Sequence, residues 1–315
     1  MPASTLHVRS LTDRDPAALA LARASGPHGI YVQNALDAGQ HDGLLFSVSD
    51  RTFGVAWFGP RGNLVLVGSS GFHDRAAEVA DHVRACRWPW RIALGCAAVV
   101  DALLERATPA ARDRPARSVG FRSASRASPD GDVGGRDDGS RDVGSRARPA
   151  APSATLAHRD QIYYVGDAAS IRSELVDDGV RKPVPKDRER LARATLALNH
   201  SDLNIPPQRV DRRWLYDTID DRIREGSTLA LGPVGALTSK LDIGSSGPGG
   251  TVLEGVFTFP EFRGQGLAAQ LVATAIARRA ELVSLHVAAD NVGARRAYER
   301  AGMREAGSCR LLLLG

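Results

Sequence analysis

The sequence contains few cysteines, few aromatic residues and no long hydrophobic run. Only 5% of its 315 residues are aromatic, and the three cysteines, Cys86, Cys96 and Cys309, have the spacing of neither a disulfide framework nor a zinc site. We therefore expect reduced thiols in a cytoplasmic protein. No apolar segment reaches the ~18 residues of a membrane span, and residues 1–7 lack the apolar core of a signal peptide. We expect no membrane partner, and no metal either, since the eight histidines show no ligand spacing.

Lysine is also scarce, because only three of the 41 basic residues are lysines, although the net charge is +5. Much of this charge lies in residues 107–153, where nine arginines against six aspartates leave +3. The use of arginine throughout indicates a compositional bias, so we expect solvated charge here and no nucleic-acid partner. The segment also holds only four bulky apolar residues. It therefore predicts a disordered insert at about 107–155.

Two stretches of the chain share one order of predicted elements: three strands, a helix, a strand, a helix and a last strand. In the first stretch these elements are predicted at 44–48, 52–58, 63–68, 74–86, 91–95, 98–107 and 160–166. In the second they are predicted at 227–231, 234–243, 251–259, after Arg263, and at 282–288, 292–301 and 308–314. We interpret the repeat as two diverged α/β (α+β) domains, at 1–170 and 178–315.

A glycine turn separates a strand from a helix in the second stretch. It runs Arg263-Gly264-Gln265-Gly266-Leu267-Ala268. Unpaired N–H groups at a helix start carry partial positive charge, and glycine lets phosphate oxygens approach the backbone. The turn thus predicts a pyrophosphate site, although the same residues taken alone also fit a tight turn without a ligand. The corresponding segment of the first stretch, Gly68–His73, lacks this pattern and predicts no such site.

A second motif lies downstream, where Asn291 precedes a helix that contains Tyr298 and ends at Gly302-Met303. Together with the glycine turn, in this order and spacing, it resembles the GCN5-related N-acetyltransferase (GNAT) superfamily. The resemblance is specific over about 251–303. The whole chain resembles the bacterial subgroup in which a degenerate acetyltransferase-like N-terminal domain precedes a catalytic one. This resemblance implies tandem acyl-CoA N-acyltransferase-like domains, each with a mixed, mainly antiparallel sheet flanked by helices.

The resemblance also implies how acetyl-CoA is held as a co-substrate. A strand that splays from its neighbour pairs its main chain with the pantetheine arm, at Val256, Phe257 and Thr258. The glycine turn holds the pyrophosphate through Arg263, Gly264, Gln265, Gly266, Leu267 and Ala268. In the family, the residue that Asn291 matches touches the pantetheine or the acceptor region.

Catalytic residues are implied in the same way. Tyr298 matches the tyrosine that protonates the departing thiolate. The general base has two candidates, Glu254 on the splayed strand and His286 on the next strand, and each also fits a purely structural role. Strand alternation predicts Glu254 on the same face as Val256 and Thr258.

We therefore predict an acetyl-CoA-dependent N-acetyltransferase that moves an acetyl group to a primary amine by direct attack in a ternary complex. The acceptor is a small molecule or a peptide. The resemblance implies that the segment 199–207, which includes Asp202, shapes its pocket, although these residues also fit a capped loop without a binding role. A non-catalytic acyl-CoA-binding regulatory protein is the alternative. Binding alone does not require an acid such as Tyr298, so the sequence favours the enzyme.

Overall fold

The fold is described from a computed structural model, which covers residues 5–86, 88–106 and 155–315. The predicted disordered insert, apart from Thr155, lies outside these residues. Within them the strands are β1 Leu6–Ser10, β2 Gly43–Val48, β3 Arg51–Phe58, β4 Asn63–Gly68, β5 Ile92–Gly95, β6 Thr155–Gly166, β7 Thr228–Leu231, β8 Ser239–Gly247, β9 Gly250–Thr258, β10 Val283–Ala288 and β11 Arg304–Leu314. The helices are α1 Pro16–Ala24, α2 Ile30–Asp37, α3 Ser70–Asp74, α4 Ala76–Ala85, α5 Ala97–Glu105, α6 Arg188–Leu203, α7 Arg212–Glu225, α8 Leu267–Ala277 and α9 Val292–Ala301.

Local sequence sets the ends of several elements. Helix α9 begins after Asn291, whose side chain accepts a hydrogen bond from the N–H of Ala294, and ends at Gly302 with φ +100°. Its bounds agree with the prediction, as do those of β4. Strand β8 begins later than predicted because β7 pairs with it from Ser239 onward, which leaves 232–238 as the connecting loop. Helix α2, which has no counterpart among the predicted elements, packs on β8 and β9.

All described strands form one sheet, in the order β1-β2-β3-β4-β5-β11-β6-β10-β9-β8-β7. Its ladders are antiparallel except for β4 with β5 and β9 with β10. The predicted fold class is therefore confirmed: each half has a mixed, mainly antiparallel sheet with helices on its faces. The proposed domain limits, 1–170 and 178–315, stay a prediction.

The last strands of the two halves exchange places at the centre of the sheet. Strand β6, from the N-terminal half, pairs with β10 on one side and β11 on the other. Strand β11, from the C-terminal half, pairs with β6 and with β5. Each last strand thus lies beside a strand of the opposite half, and backbone hydrogen bonds join the halves along the middle of the molecule.

The buried side chains form three clusters. One lies on a single face of the N-terminal half and includes Phe46, Phe72 and Leu103. A second lies under α8 and α9 and includes Tyr298. The third is shared, because residues from both halves, such as Tyr31 of α2, meet on the other face of the sheet. Burial of one large apolar side chain contributes roughly 1.5–3 kcal/mol, so the shared cluster stabilises the association of the halves.

Candidate active site

A crevice opens where β9 and β10 separate. The ladder between them covers three residue pairs and ends at Leu253 and Leu285. Beyond this point β9 continues to Thr258 and β10 to Ala288, and among the described strands β9 then pairs with β8 alone and β10 with β6 alone. The edge of β9 that faces β10 therefore has main-chain groups without a strand partner, and such groups are available to a ligand.

The glycine turn lies at the open end of this crevice. Gly264 and Gly266 have φ of +79° and +80°, in the left-handed region that favours glycine. Gly266 is the N-cap of α8 and makes no side-chain cap, and the first α8 bond runs from the N–H of Gln270 to the carbonyl of Gly266. The N–H groups of the first helical turn consequently have no intrahelical partner and form an anion-binding end.

Two arginines lie beside this helix start, and a third lines the same cavity. Arg263 donates from Nε to the carbonyl of Thr258 at 3.2 Å, which holds its side chain beside the end of β9. A Cβ added to Gly266 would lie 3.5 Å from Nη1 of Arg300, and Arg296 lines the same cavity. Only Arg263 was predicted from the sequence. The other two lie on α9, and only the packing of α9 beside α8 brings the charge of Arg300 to the turn.

Tyr298 lies on α9 between the crevice and the core beneath α8. It is buried, and its ring contacts the ring of Tyr164 with centroids 5.9 Å apart. Burial, with a smaller contribution from the charge of Asp202, raises the pKa of Tyr298. The phenol is therefore protonated at neutral pH and able to donate. Asn291, at the start of the same helix, uses its side-chain oxygen as the helix cap.

A β-bulge decides where Glu254 points. Gly255 has φ +55°, and the register between β8 and β9 shifts beside it. Glu254 contacts the shared cluster that includes Val252 and Phe257, whereas Val256 packs on the opposite face, in the cluster under α8. The prediction that Glu254 and Val256 share a face is therefore wrong, because the extra residue of the bulge reverses the alternation.

The Glu254 carboxylate is held from three sides. Its Oε1 accepts a hydrogen bond from the hydroxyl of Tyr31, which belongs to α2 of the N-terminal half. Arg222 of α7 lies 3.9 Å from Oε2. A Cβ added to Gly244 would lie 2.1 Å from Cδ of Glu254, so only glycine leaves room for the carboxylate there. Tyr31 and Arg222 were not predicted from the sequence.

A buried ion pair lies on β8, next to this carboxylate. Lys240 pairs with Asp242, which also accepts from Thr228 Oγ1 at 2.7 Å and faces Arg222 Nη1 at 3.5 Å. Burial opposes the ionisation of Asp242, but Lys240 and Arg222 hold its pKa below the usual value. Burial lowers the pKa of Lys240. A Cβ added to Gly255 would lie 2.8 Å from Nζ of Lys240. The Lys240 ammonium group therefore packs directly against the bulge.

His286 lies on β10, just beyond the end of the β9–β10 ladder. It is paired in register with Tyr163, and the two ring centroids are 5.8 Å apart. Among the described residues its buried Nδ1 has no hydrogen-bond partner. Burial lowers the pKa of His286, with a smaller opposing effect from Glu254. The imidazole is therefore neutral at pH 7 and able to accept a proton.

One cavity of about 1460 Å³ connects these features. Every predicted site residue except Gln265 lines it. These residues are Glu254, Val256, Phe257, Thr258, Arg263, Gly264, Gly266, Leu267, Ala268, His286, Asn291 and Tyr298. The predicted acceptor segment contributes Asn199 and Asp202, and the N-terminal half contributes Tyr31 and Trp57. The cavity is thus lined by both halves of the chain.

Two other features are absent from the described part of the chain. No described helix has the length and hydropathy to cross a membrane. No group of three or more His, Cys, Asp or Glu side chains within the same residues has the geometry to hold a metal ion.

A comparison with known protein families matches the part of the chain that contains the crevice and the glycine turn. The model of the acetyltransferase (GNAT) family matches residues 202–303. The segment 202–303 belongs to the GNAT family. The matched segment of the GNAT domain begins in the acceptor segment and ends just after α9, so it includes the crevice, the glycine turn and all three predicted catalytic residues. Family membership supports an acyl-transfer function in general terms.

Solved structures extend the likeness beyond that segment. A Drosophila protein is 12% identical, with 98% of each chain covered and a TM-score of 0.55, which shows that the two share a fold over nearly the whole chain. A GNAT-family acetyltransferase from Colwellia psychrerythraea is 12% identical, covering 98% of this chain and 99% of that one, with a TM-score of 0.49. A GCN5-related N-acetyltransferase from Sphaerobacter thermophilus is 14% identical, covering 99% and 96%, with a TM-score of 0.47. No curated protein gave a significant match.

Proposed function

We propose that this GNAT protein is an acetyl-CoA-dependent N-acetyltransferase that acetylates a primary amine directly, in a ternary complex. One observation carries the proposal. A single cavity connects the β9–β10 crevice, the free N–H groups at the start of α8, and the side chains of Tyr298, Glu254 and His286. An anion site, an acid and a base are therefore within reach of one bound molecule.

The residues around the crevice fit the parts of acetyl-CoA. The unpaired edge of β9, at Val256–Thr258, offers main-chain partners to the amide groups of a pantetheine arm. The start of α8 and Arg263 offer hydrogen bonds and positive charge to a pyrophosphate, and Arg300 adds a second charge. A Cβ added to Gly264 would meet nothing within 4 Å, so the turn faces open space. Acetyl-CoA would supply the acetyl group as an activated thioester.

The acceptor must lose a proton before it can attack. An amine with a pKa of about 10.4 is only ~0.1% neutral near pH 7.4, which costs about 4 kcal/mol. Glu254 and His286 both line the cavity and both are able to accept this proton, directly or through water. Asp202, across the cavity, carries a negative charge that attracts a cationic amine.

Tyr298 is the proposed acid. As the C–N bond forms and the C–S bond breaks, the phenol donates its proton to the leaving sulfur. Because burial raises the pKa of Tyr298, donation must accompany C–S cleavage rather than precede it. A general acid of this kind contributes roughly 10²–10⁴-fold to the rate.

Direct transfer is favoured over an acyl-cysteine intermediate. No cysteine of the described residues lines the cavity. Cys309 is buried, and burial raises its pKa to about 12, so its thiol is not a nucleophile at neutral pH.

Two measurements test the proposal. Acetyl-CoA and CoA are expected to raise the melting temperature of the wild-type chain, and thiol release from acetyl-CoA is expected with at least one member of an array of small amines and amino-terminal peptides. Comparison of Glu254→Gln and His286→Gln in the same assay identifies the base. No thermal shift with either ligand would contradict the proposal. A thermal shift without thiol release for any amine would favour a non-catalytic acyl-CoA-binding regulatory protein.

A further inference from the structure

Helix α2 of the N-terminal half is fixed onto the hairpin that carries Glu254. Asn34 donates from Nδ2 to Ser245 Oγ at 3.0 Å and to the carbonyl of Gly250 at 2.9 Å, and its Oδ1 accepts from the N–H of Gly249 at 3.0 Å. A Cβ added to Gly247 would lie 2.7 Å from Oδ1 of Asn34, so the hairpin has no room for a side chain there. These contacts set the distance between α2 and the strand pair β8–β9.

Tyr31 lies one helical turn before Asn34 and points into the same interface. Its ring is buried in the shared cluster, and its hydroxyl reaches Oε1 of Glu254. Burial raises the pKa of Tyr31 well above its ordinary value, and the charge of Glu254 raises it further. The phenol therefore keeps its proton at neutral pH, and the hydrogen bond runs from Tyr31 to the carboxylate.

The other groups around Glu254 leave it little freedom. Arg222 of α7 faces Oε2, and Gly244 of β8 packs against Cδ. The charged neighbours from the remaining elements are the Lys240–Asp242 pair on β8, and the titratable neighbour on β10 is His286. Of these groups, Tyr31 is the one that comes from outside the segment matched by the GNAT family model.

We propose that Tyr31 is a positioning residue for catalysis: its hydroxyl orients the Glu254 carboxylate, so that the N-terminal half completes the active site of the C-terminal half. The inference rests on the proposed function and on Glu254 as the base. A misplaced catalytic group lowers turnover by about 10- to 100-fold, because the reacting atoms must lie within a few tenths of an ångström of productive geometry. Loss of the Tyr31 hydroxyl is expected to have an effect of this size.

A double-mutant cycle on the full-length chain separates positioning from packing. Tyr31→Phe keeps the ring and removes only the hydroxyl, and Glu254→Gln removes the carboxylate. We expect Tyr31→Phe to lower kcat by roughly 10- to 100-fold with an unchanged KM for acetyl-CoA. In the Glu254→Gln background the same change is expected to have no further effect on kcat, because the glutamine amide can still accept the hydrogen bond but cannot act as the base that Tyr31 is proposed to orient.

Asn34→Ala is the matched control, since it weakens the docking of α2 without removing a contact to Glu254. Asn34→Ala is therefore expected to lower the melting temperature, with a smaller loss of kcat than Tyr31→Phe causes, because the Tyr31 hydroxyl is still present. Thermal unfolding of each variant, with and without acetyl-CoA, reports whether the fold and the acetyl-CoA site are intact.

The outcomes distinguish this inference from the proposed function. Wild-type turnover in Tyr31→Phe or in Glu254→Gln, or additive losses in the double variant, overturns the inference while the acetyltransferase stands. Absence of thiol release by the wild-type chain with every amine overturns the proposed function and the inference with it.

Discussion

The two halves of the molecule repeat one arrangement of strands and helices, yet among the described residues only the C-terminal half has an open crevice between its parallel strands. In the N-terminal half, β4 and β5 pair up to Leu66 and Gly95, and β4 ends two residues later. In the C-terminal half, β9 continues well beyond its last pair with β10. The topology is common to both halves, so the crevice depends on how far one strand extends past its partner.

The segment that follows the strand differs even more. In the N-terminal half it forms α3, and Phe72 of α3 is fully buried against Phe46, Phe53 and the glycines Gly54 and Gly68. In the C-terminal half the corresponding segment is the glycine turn, which faces open space. The ring of Phe72 thus occupies, in the N-terminal half, the region that stays open in the C-terminal half. The proposed function therefore predicts one acetyl-CoA per chain, bound in the C-terminal half.

The largest expected effect that distinguishes the halves is at Tyr298. Leu103 occupies the same position in α5 as Tyr298 does in α9, counted from the start of each helix. We expect Tyr298→Phe to lower kcat by about 10²- to 10⁴-fold, with the affinity for acetyl-CoA unchanged, because only the acid is lost. Leu103→Met, which conserves volume, is the control and is expected to retain turnover. Steady-state kinetics and calorimetric titration measure both quantities, and unchanged turnover in Tyr298→Phe would remove this residue from the mechanism.

The next largest effect concerns the ring that fills the N-terminal half. Phe72→Ala is expected to lower the free energy of unfolding by about 3–5 kcal/mol, because the change leaves a cavity between β3, β4 and α3. Chemical denaturation measures this loss.

Titration of the same variant with acetyl-CoA tests the comparison itself. The stoichiometry is expected to stay at one per chain, since the N-terminal half also lacks the glycine turn and its arginines. A second equivalent bound by the wild-type chain would contradict the contrast between the halves.

The smallest expected effect is at the helix start. Gly266→Asp places a carboxylate among the free N–H groups of α8, where a phosphate is expected, and should weaken acetyl-CoA binding at least tenfold, or about 1.4 kcal/mol. Gly266→Asn tests the backbone alone, because asparagine tolerates the left-handed conformation better than most residues and adds no charge. It is expected to bind more tightly than Gly266→Asp.

Ser70→Asp makes the matched change at the start of α3 in the N-terminal half. Ser70 is exposed and lies outside the cavity lining. We expect no change in acetyl-CoA affinity, measured by calorimetry. Equal losses in Ser70→Asp and Gly266→Asp would mean that the position of the charge does not matter, and would argue against the glycine turn as the pyrophosphate site.

Much of the fold was predictable because its signals are local. The apolar run of β4, the Asn291 cap and the Gly302 stop of α9 each act within a few residues. Helix α2 has no such signal: it is preceded by a glycine without a side-chain cap, and nearly all of its residues are buried. A helix that is buried on all sides lacks the amphipathic period by which helices are predicted.

In the candidate site, too, the parts formed by contiguous residues were predictable and the parts formed by distant segments were not. The glycine turn and the Asn291–Tyr298 helix are contiguous motifs, and the structure places both at one cavity. The face of Glu254 was predicted wrongly, because alternation along a strand holds only while the ladder is regular and Gly255 interrupts it. Arg300 and Arg222 were missed since their role depends on which helix packs beside the turn or the strand.

The sequence by itself determined the elements whose conformation depends on near neighbours: strands with apolar runs, capped helices, and glycines at positive φ. Only the tertiary structure decided which half supplies which part of the site. Tyr31 and Glu254 are 223 residues apart, and their contact requires α2 to lie on β8 and β9. The exchange of β6 and β11 is likewise invisible in either strand alone, because the sequence of a strand does not specify which strands lie beside it in the sheet. Pairing between distant segments depends on the packing of the whole sheet.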